Sequence, residues 1–213
     1  MSALLNDTLN SEQTKALVAI KDWLAETNNK VFSLAGAFYT GKSKVLKFAV
    51  HEFVRNGKTL LYLAPNASIA DRYKDRGFSD VSSIYSWLYA GSHIIRNGKK
   101  VYPVDHRPID PDKVVIVVFD SHLLGNEFCA FAMDTTVYGS GYILSDFLSS
   151  LTGSDSNAPD AQASLELTAL PKIFLLGDPY QLTRGARDKS LLGCQIFEQR
   201  KVSFIRTELK SRD

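Results

Sequence analysis

Long apolar runs are missing: nothing in the chain approaches the ~18 consecutive apolar residues that a membrane span needs, so no membrane role is expected. The first ten residues, MSALLNDTLN, carry an acid and lack the basic segment that opens a secretory leader. Cysteine is scarce. Cys129 and Cys194 stand far apart without metal-ligand spacing, which argues against a disulfide scaffold or a cysteine-held metal and fits reduced thiols in a cytoplasmic protein. A strong charge of either sign is missing too. With 25 basic and 23 acidic side chains the net charge is +2, so a nucleic-acid partner would have to be held by a local basic surface.

What is present is the material of a globular core: 45% of the 213 residues are hydrophobic and 23% charged, enough for one large domain over 1–213. Apolar residues Ala16, Leu17, Ile20 and Leu24 recur at helical spacing, predicting a helix over 11–26 with Asn10 or Ser11 as its cap. KVFSLAG (30–36) reads as a short buried strand, and KSKVLKFAVHEFVRNG (42–57) as an amphipathic helix closing on Gly57. KTLLYLAP (58–65) is a strand stopped by Pro65, and ASIADRYKDRG a short helix ending at Gly77. VVIVVFD (114–120), the most continuous apolar run, is the candidate central parallel strand. KIFLLGD (172–178) and KVSFIRTEL (201–209) supply two more, and GYILSDFLSSL (141–151) a helix. Between them lie an irregular insertion at about 90–112, with a possible Asn-Gly hairpin turn, and a polar loop at about 152–165 expected to be flexible. Apolar strands alternating with helices predict an α/β fold, a parallel sheet covered on both faces.

Residues 36–43, GAFYTGKS, match G-x-x-x-x-G-K-[ST], with an apolar strand before and an amphipathic helix after. Backbone N–H groups of such a loop, Gly36, Ala37, Phe38, Tyr39, Thr40 and Gly41, together with the helix N-terminus, solvate phosphate oxygens. Lys42 would reach the β- and γ-phosphates of ATP, and the Ser43 hydroxyl would ligate Mg²⁺. The bland alternative is an ordinary strand–helix turn. Phe38 and Tyr39 are bulky guests. A left-handed backbone at either would cost about 1–2 kcal/mol; otherwise their rings lie outward, over the nucleotide or toward a partner.

Two further strands end in chemistry. IFLLGDPYQL delivers Asp178 and then Gln181, a carboxylate and an amide able to sense a γ-phosphate, although Gly-Asp-Pro is also a plain turn signal. VVIVVFDSHLL delivers Asp120, with Phe119 before it and Ser121 and His122 after it. Nucleotide hydrolases use one carboxylate on the metal side and often a second as base; only Asp120 is available here. His122 reads as a structural polar tip of the sheet.

Taken in order, a Gln near the start, the phosphate loop, LAPNASIA, SSIYSWL, VVFDSHLL, YGSGYILSDFL, LLGDPYQL and ELKSRD resemble the first RecA-like motor domain of superfamily 1 DNA helicases, RecD-like branch, from about residue 9 onward. The resemblance implies an ATP- and Mg²⁺-using P-loop NTPase acting on single-stranded DNA. It implies that Gln13 reads the adenine edge, beside the alternative of a capping box with Asn10. It gives Lys42, Asp120, Gln181 and Arg212 catalytic roles, and Ser43 and Asp120 the metal. It assigns DNA contacts to Pro65, Asn66, Ser83 and Tyr85, with Ala64 and Ile84 beside them. Trp87 can stack on bases or belong to the core.

Departures from the family pattern are as informative. The family has small residues where Phe38 and Tyr39 stand, prolines where Thr183 and Arg184 stand, and an Asp-Glu pair where this chain has either Phe119-Asp120 or Asp120-Ser121. One carboxylate is missing in either alignment. No second RecA-like domain follows within these residues, so one supplied in cis or in trans is expected, and this segment alone is not expected to unwind duplex DNA. A different class of protein, a catalytically weak nucleotide- or DNA-binding scaffold of the same fold, is the alternative.

Overall fold

The computed structural model describes residues 8–89, 93–96, 99–105, 109–124, 147, 150–151, 170–181, 192 and 203–210. Its elements in chain order are α1 (Ser11–Ala25), β1 (Val31–Gly36), α2 (Lys42–Arg55), β2 (Thr59–Ala64), α3 (Ala67–Lys74), β3 (Ser82–Ser83) and α4 (Ile84–Leu88). A hairpin of β4 (Ile94–Arg96) and β5 (Lys99–Val101) follows, then β6 (Val114–Val118), a 3₁₀ turn (Ser121–Leu123), β7 (Lys172–Gly177) and β8 (Phe204–Leu209). The polar loop at 152–165 lies outside the described residues, as do Asn97 and Gly98 and most of the helix expected at 141–151. Phe147, Ser150 and Leu151 are helical and buried.

The sheet is parallel and runs β3-β2-β6-β7-β1-β8. The apolar run at 114 is thus a central strand, as its composition predicts. Side chains alternate between two cores, the period-two rule of a pleated strand. Val31, Ala35, Ile116, Val118, Ile173 and Leu175 face a core closed by Trp87, Leu88 and Phe147. Phe32, Leu34, Val115, Val117, Phe174 and Leu176 face the other, beneath α1, α2 and α3. There Phe32 and Phe174 stack at 5.6 Å and Trp23 leans on both. Trp87 is therefore core.

Local signals set the helix starts. Asn10 accepts from the Gln13 N–H while the Gln13 side chain accepts from the Asn10 N–H, a complete capping box. The helix ends at Ala25, one residue before the expected boundary, and its end is closed from a distance. Lys172, at the start of β7 and buried, donates to the carbonyls of Trp23, Glu26 and Asn29 at 2.6, 2.5 and 2.7 Å. One ammonium thereby satisfies three acceptors at the negative end of α1. Replacing it by methionine keeps the bulk and removes every donor. Lys172→Met is expected to lower unfolding free energy by about 2–3 kcal/mol, read from urea denaturation; an unchanged midpoint would refute this closure.

Candidate functional site

In open parallel sheets ligands gather at the carboxyl ends of strands, and here β1, β6 and β7 end side by side. The loop after β1 depends on a missing side chain. A Cβ at Gly36 would lie 2.6 Å from Thr40 Oγ1 and 2.9 Å from the Leu209 carbonyl, so only glycine lets the loop nest against β8. Buried Thr40 fastens the loop by donating its hydroxyl to the Ala37 carbonyl at 2.8 Å. Gly41 enters α2 at φ 80°, left-handed.

Tyr39 also has positive φ, 66°, a conformation unfavourable to a side chain. Both of the conditional readings of the aromatic pair hold together: Tyr39 bears the strain, and the rings of Phe38 and Tyr39 point outward, 58% and 74% exposed, in edge contact at 4.3 Å.

Lys42 folds back on its own loop, its Nζ 2.7 Å from the carbonyls of both Gly36 and Ala37. Burial pulls its ammonium below the usual lysine range, against the opposing influence of Asp178 and Asp120. A cavity of about 860 Å³ opens beside it, lined by the loop, by Ser43, by Asp120 from the end of β6 and by Asp178 and Gln181 from the end of β7. The residues predicted from three separate strand ends therefore meet in one place. Arg212 lies outside the described residues.

The Asp-Glu question has a geometric answer. Phe119 is fully buried, stacked on Tyr73 at 3.8 Å and on Tyr62 at 5.7 Å, and cannot reach the cavity. Asp120 does reach it, on a left-handed backbone (φ 42°) that turns the chain away from the strand. The next residue, Ser121, is fully buried and donates its hydroxyl to the Leu176 carbonyl at 3.1 Å. Asp120 is itself engaged: the Arg72 guanidinium pairs with it, and the Tyr73 hydroxyl donates to it at 3.2 Å. Burial raises the Tyr73 phenol well above its ordinary range, so it stays a donor.

His122 is not merely a polar tip. Its Nδ1 accepts the Asp178 N–H at 3.1 Å, which places the proton on Nε2, and Nε2 donates to Gln181 Oε1 at 3.0 Å. Burial lowers the imidazole's proton affinity, with Asp120, Gln181 and Asp178 opposing, so the neutral ring is the form held. Asp178, buried, accepts the Tyr180 N–H at 2.9 Å, and the Tyr180 hydroxyl donates to Glu208 of β8 at 2.5 Å. The Gly-Asp-Pro turn and the cavity position are thus both real.

Other predicted residues lie elsewhere. Gln13 is fully buried. Its oxygen serves the capping box and its Nε2 donates to the Thr40 carbonyl at 3.3 Å, tying α1 to the phosphate loop. Asn66 and Ser83 cap α3 and α4 through Ile69 and Ser86, Pro65 is buried, and Tyr85 is half-buried. The pairs Leu63↔Ser82 and Ala64↔Ser83 bring the 65–66 and 83–85 segments together at the sheet's end, outside the cavity lining. Sequence reasoning missed Arg72, Tyr73, Arg76, Lys44 and Lys47 on that lining. Lys44 and Lys47, three apart at the start of α2, carried a legible signal, whereas Arg72 and Tyr73 of α3 and Arg76 just after it carried none.

For a cation the donor set is small. Among the described residues no three His, Cys, Asp or Glu side chains converge. The Ser43 hydroxyl and the Asp120 carboxylate line the same cavity, with Asp178 also on its wall, which fits a magnesium ion drawing its other ligands from phosphate and water. No helix among the described residues is long and apolar enough to cross a membrane.

No protein-family model and no curated protein matches the chain. Among solved structures, the Pif1 helicase from Candida albicans is similar, with a TM-score of 0.55 and 12% sequence identity over 97% of this chain. The chain spans 41% of that helicase's length. At that identity the likeness is one of fold. With the parallel sheet and the loop after β1, it supports an α/β P-loop fold of the RecA-like type.

Two outcomes follow from this geometry. His122→Ala leaves the buried Asp178 N–H without its acceptor and opens space over Gly177; unfolding free energy should fall by about 1–3 kcal/mol in denaturant titration. Tyr39→Gly should instead raise it by about 1 kcal/mol through relief of the positive φ. A destabilised Tyr39→Gly would mean that the ring contact with Phe38 outweighs the backbone strain.

Proposed function

We propose that this chain is the ATP-binding first motor domain of a RecD-like superfamily 1 DNA helicase, hydrolysing ATP between itself and a second RecA-like domain and coupling turnover to movement on single-stranded DNA. The observation that carries this reading is the convergence of Lys42, Ser43, Asp120, Asp178 and Gln181 on one cavity at three strand ends. The loop amides and the Lys42 ammonium would hold the β- and γ-phosphates. Ser43 and Asp120 would hold Mg²⁺, which would supply charge neutralisation to the phosphates. Gln181, held by His122, would sense the terminal phosphate, and Asp178 holds the turn before it. Arg212 would stabilise developing charge, as the resemblance implies. Single-stranded DNA would run along the Pro65–Asn66 and Ser83–Tyr85 segments. A nucleotide-edge role for Gln13 would require the release of its capping-box oxygen.

Turnover is expected to be slow. Ser121 stands where a positioned base is expected, and losing such a base lowers rates by ~10²–10⁴-fold. That observation, with the Arg72–Asp120 pair, favours a second reading: a nucleotide-binding scaffold that hardly turns over.

Single-turnover ATPase assays with single-stranded DNA separate the two. A motor domain shows DNA-stimulated hydrolysis abolished by Lys42→Ala and by Asp120→Ala. Nucleotide binding without hydrolysis would install the scaffold reading, and hydrolysis indifferent to DNA would remove the helicase assignment.

A further inference from the structure

Five of the side chains lining the cavity are cationic, Lys42, Lys44, Lys47, Arg72 and Arg76, against two carboxylates, Asp120 and Asp178. The arginines are not loose surface charges. Both guanidiniums lie over the Tyr73 ring, at 5.7 Å for Arg72 and 5.3 Å for Arg76. Tyr73 is itself buried and stacked on Phe119 at 3.8 Å, with Phe78 against both rings. A column of aromatic side chains rooted in the core therefore aims two cations at the edge of the cavity. Arg72 ends on Asp120, the carboxylate on which a magnesium ion would depend.

A guanidinium already paired with that carboxylate does electrostatically what a divalent ion would do there. It neutralises the acid and presents remaining N–H donors to the space where phosphate oxygens enter. Ordinary surface ion pairs are nearly neutral in energy and leave no functional trace. This one is half enclosed, with the Asp120 side chain 17% exposed, and shares its acceptor with a phenol fixed by packing.

We propose that Arg72 is the site's own counter-cation: it holds Asp120 while the loop is empty and turns to the terminal phosphates of an entering nucleotide, so that the site takes a nucleoside polyphosphate without a divalent metal. Arg76, on the same ring, and Lys44 and Lys47 across the cavity add to the positive field that makes metal-free ligand acceptable. The proposal rests on the phosphate-site reading of the loop.

The test is calorimetric titration of the chain with ATP, once with excess Mg²⁺ and once with EDTA, for the unmodified protein, Arg72→Gln and Lys74→Gln. Lys74 lies on the same helix but pairs with Asp71 and does not line the cavity, so it controls for loss of a positive charge. Circular dichroism melts confirm that each variant is folded. The unmodified protein should bind ATP in EDTA within about threefold of its affinity with Mg²⁺. Arg72→Gln should lose about tenfold or more in EDTA, the cost of one charge-assisted phosphate contact, and much less with Mg²⁺, while Lys74→Gln tracks the unmodified protein. Binding that collapses in EDTA for the unmodified protein, or an Arg72→Gln variant no weaker than Lys74→Gln, overturns Arg72's role and leaves the phosphate site standing. No heat in either buffer overturns both.

Discussion

Everything at the site depends on the register of three parallel strands. β1 and β7 pair from Val31↔Ile173 to Ala35↔Gly177, so Gly36, the last residue of β1, and Asp178 stand at the same level. β6 pairs its last residue, Val118, with Leu175, two residues short of the end of β7. The chain after β6 therefore turns while β7 still runs. That offset lets Ser121 donate to the Leu176 carbonyl and lets the His122 ring settle over Gly177, where an added Cβ would come within 3.0 Å of Nδ1. A one-residue slip would reverse every side chain between the two cores and carry Asp120 off the cavity. The hydrophobic alternation in both strands thus fixes the chemistry as well as the packing.

Phe119 shows how packing and polar chemistry compete for one position. Its ring joins Tyr62, Tyr73 and Phe78 in a buried aromatic group, a large apolar contribution that a carboxylate there could not make without a partner. The left-handed turn at Asp120 then follows. The strand stays regular through its apolar residues, and the first polar one swings out to the cavity. With the following Ser121 turned inward, Asp120 is the one acid that the end of β6 presents to the cavity, and it finds its counter-charge on α3. The missing carboxylate and the Arg72 pair are consequences of one local arrangement.

Much of the fold was readable because its signals are local or periodic. Continuous apolar runs gave β1, β6 and β7; the Asn10–Gln13 spacing gave both the α1 cap and the closing of its box; glycines 57 and 77 turned the chain with φ of 72° and 90°. The phosphate loop was legible because glycine, lysine and serine are needed at fixed offsets whatever surrounds them. What could not be read was tertiary. Lys172 in the strand sequence gives no hint that its ammonium closes a helix 149 residues earlier in the chain, at Trp23. His122 read as a polar tip because its two partners arrive from β7, and nothing in the sequence of the short helix singled out Arg72 and Arg76, whose direction is set by Tyr73.

The same logic explains why both leading cations of the cavity are held internally. Lys42 donates to two neutral carbonyls of its own loop, and Arg72 to a carboxylate. A phosphate entering the loop offers Lys42 an anionic acceptor in exchange for neutral ones, and charge-assisted bonds to anions are the stronger kind. Desolvation has already lowered the Lys42 ammonium's proton affinity, so a nearby anion restores what burial took away. Arg72 gains less, since it leaves one anion for another. The two exchanges therefore differ in size: the lysine's surroundings favour an anion, while on the proposed reading the arginine would leave its carboxylate only for several phosphate charges. If Arg72 acts as proposed, a triphosphate meets that condition better than a monophosphate, and the cavity would discriminate by charge number through contacts it makes with itself.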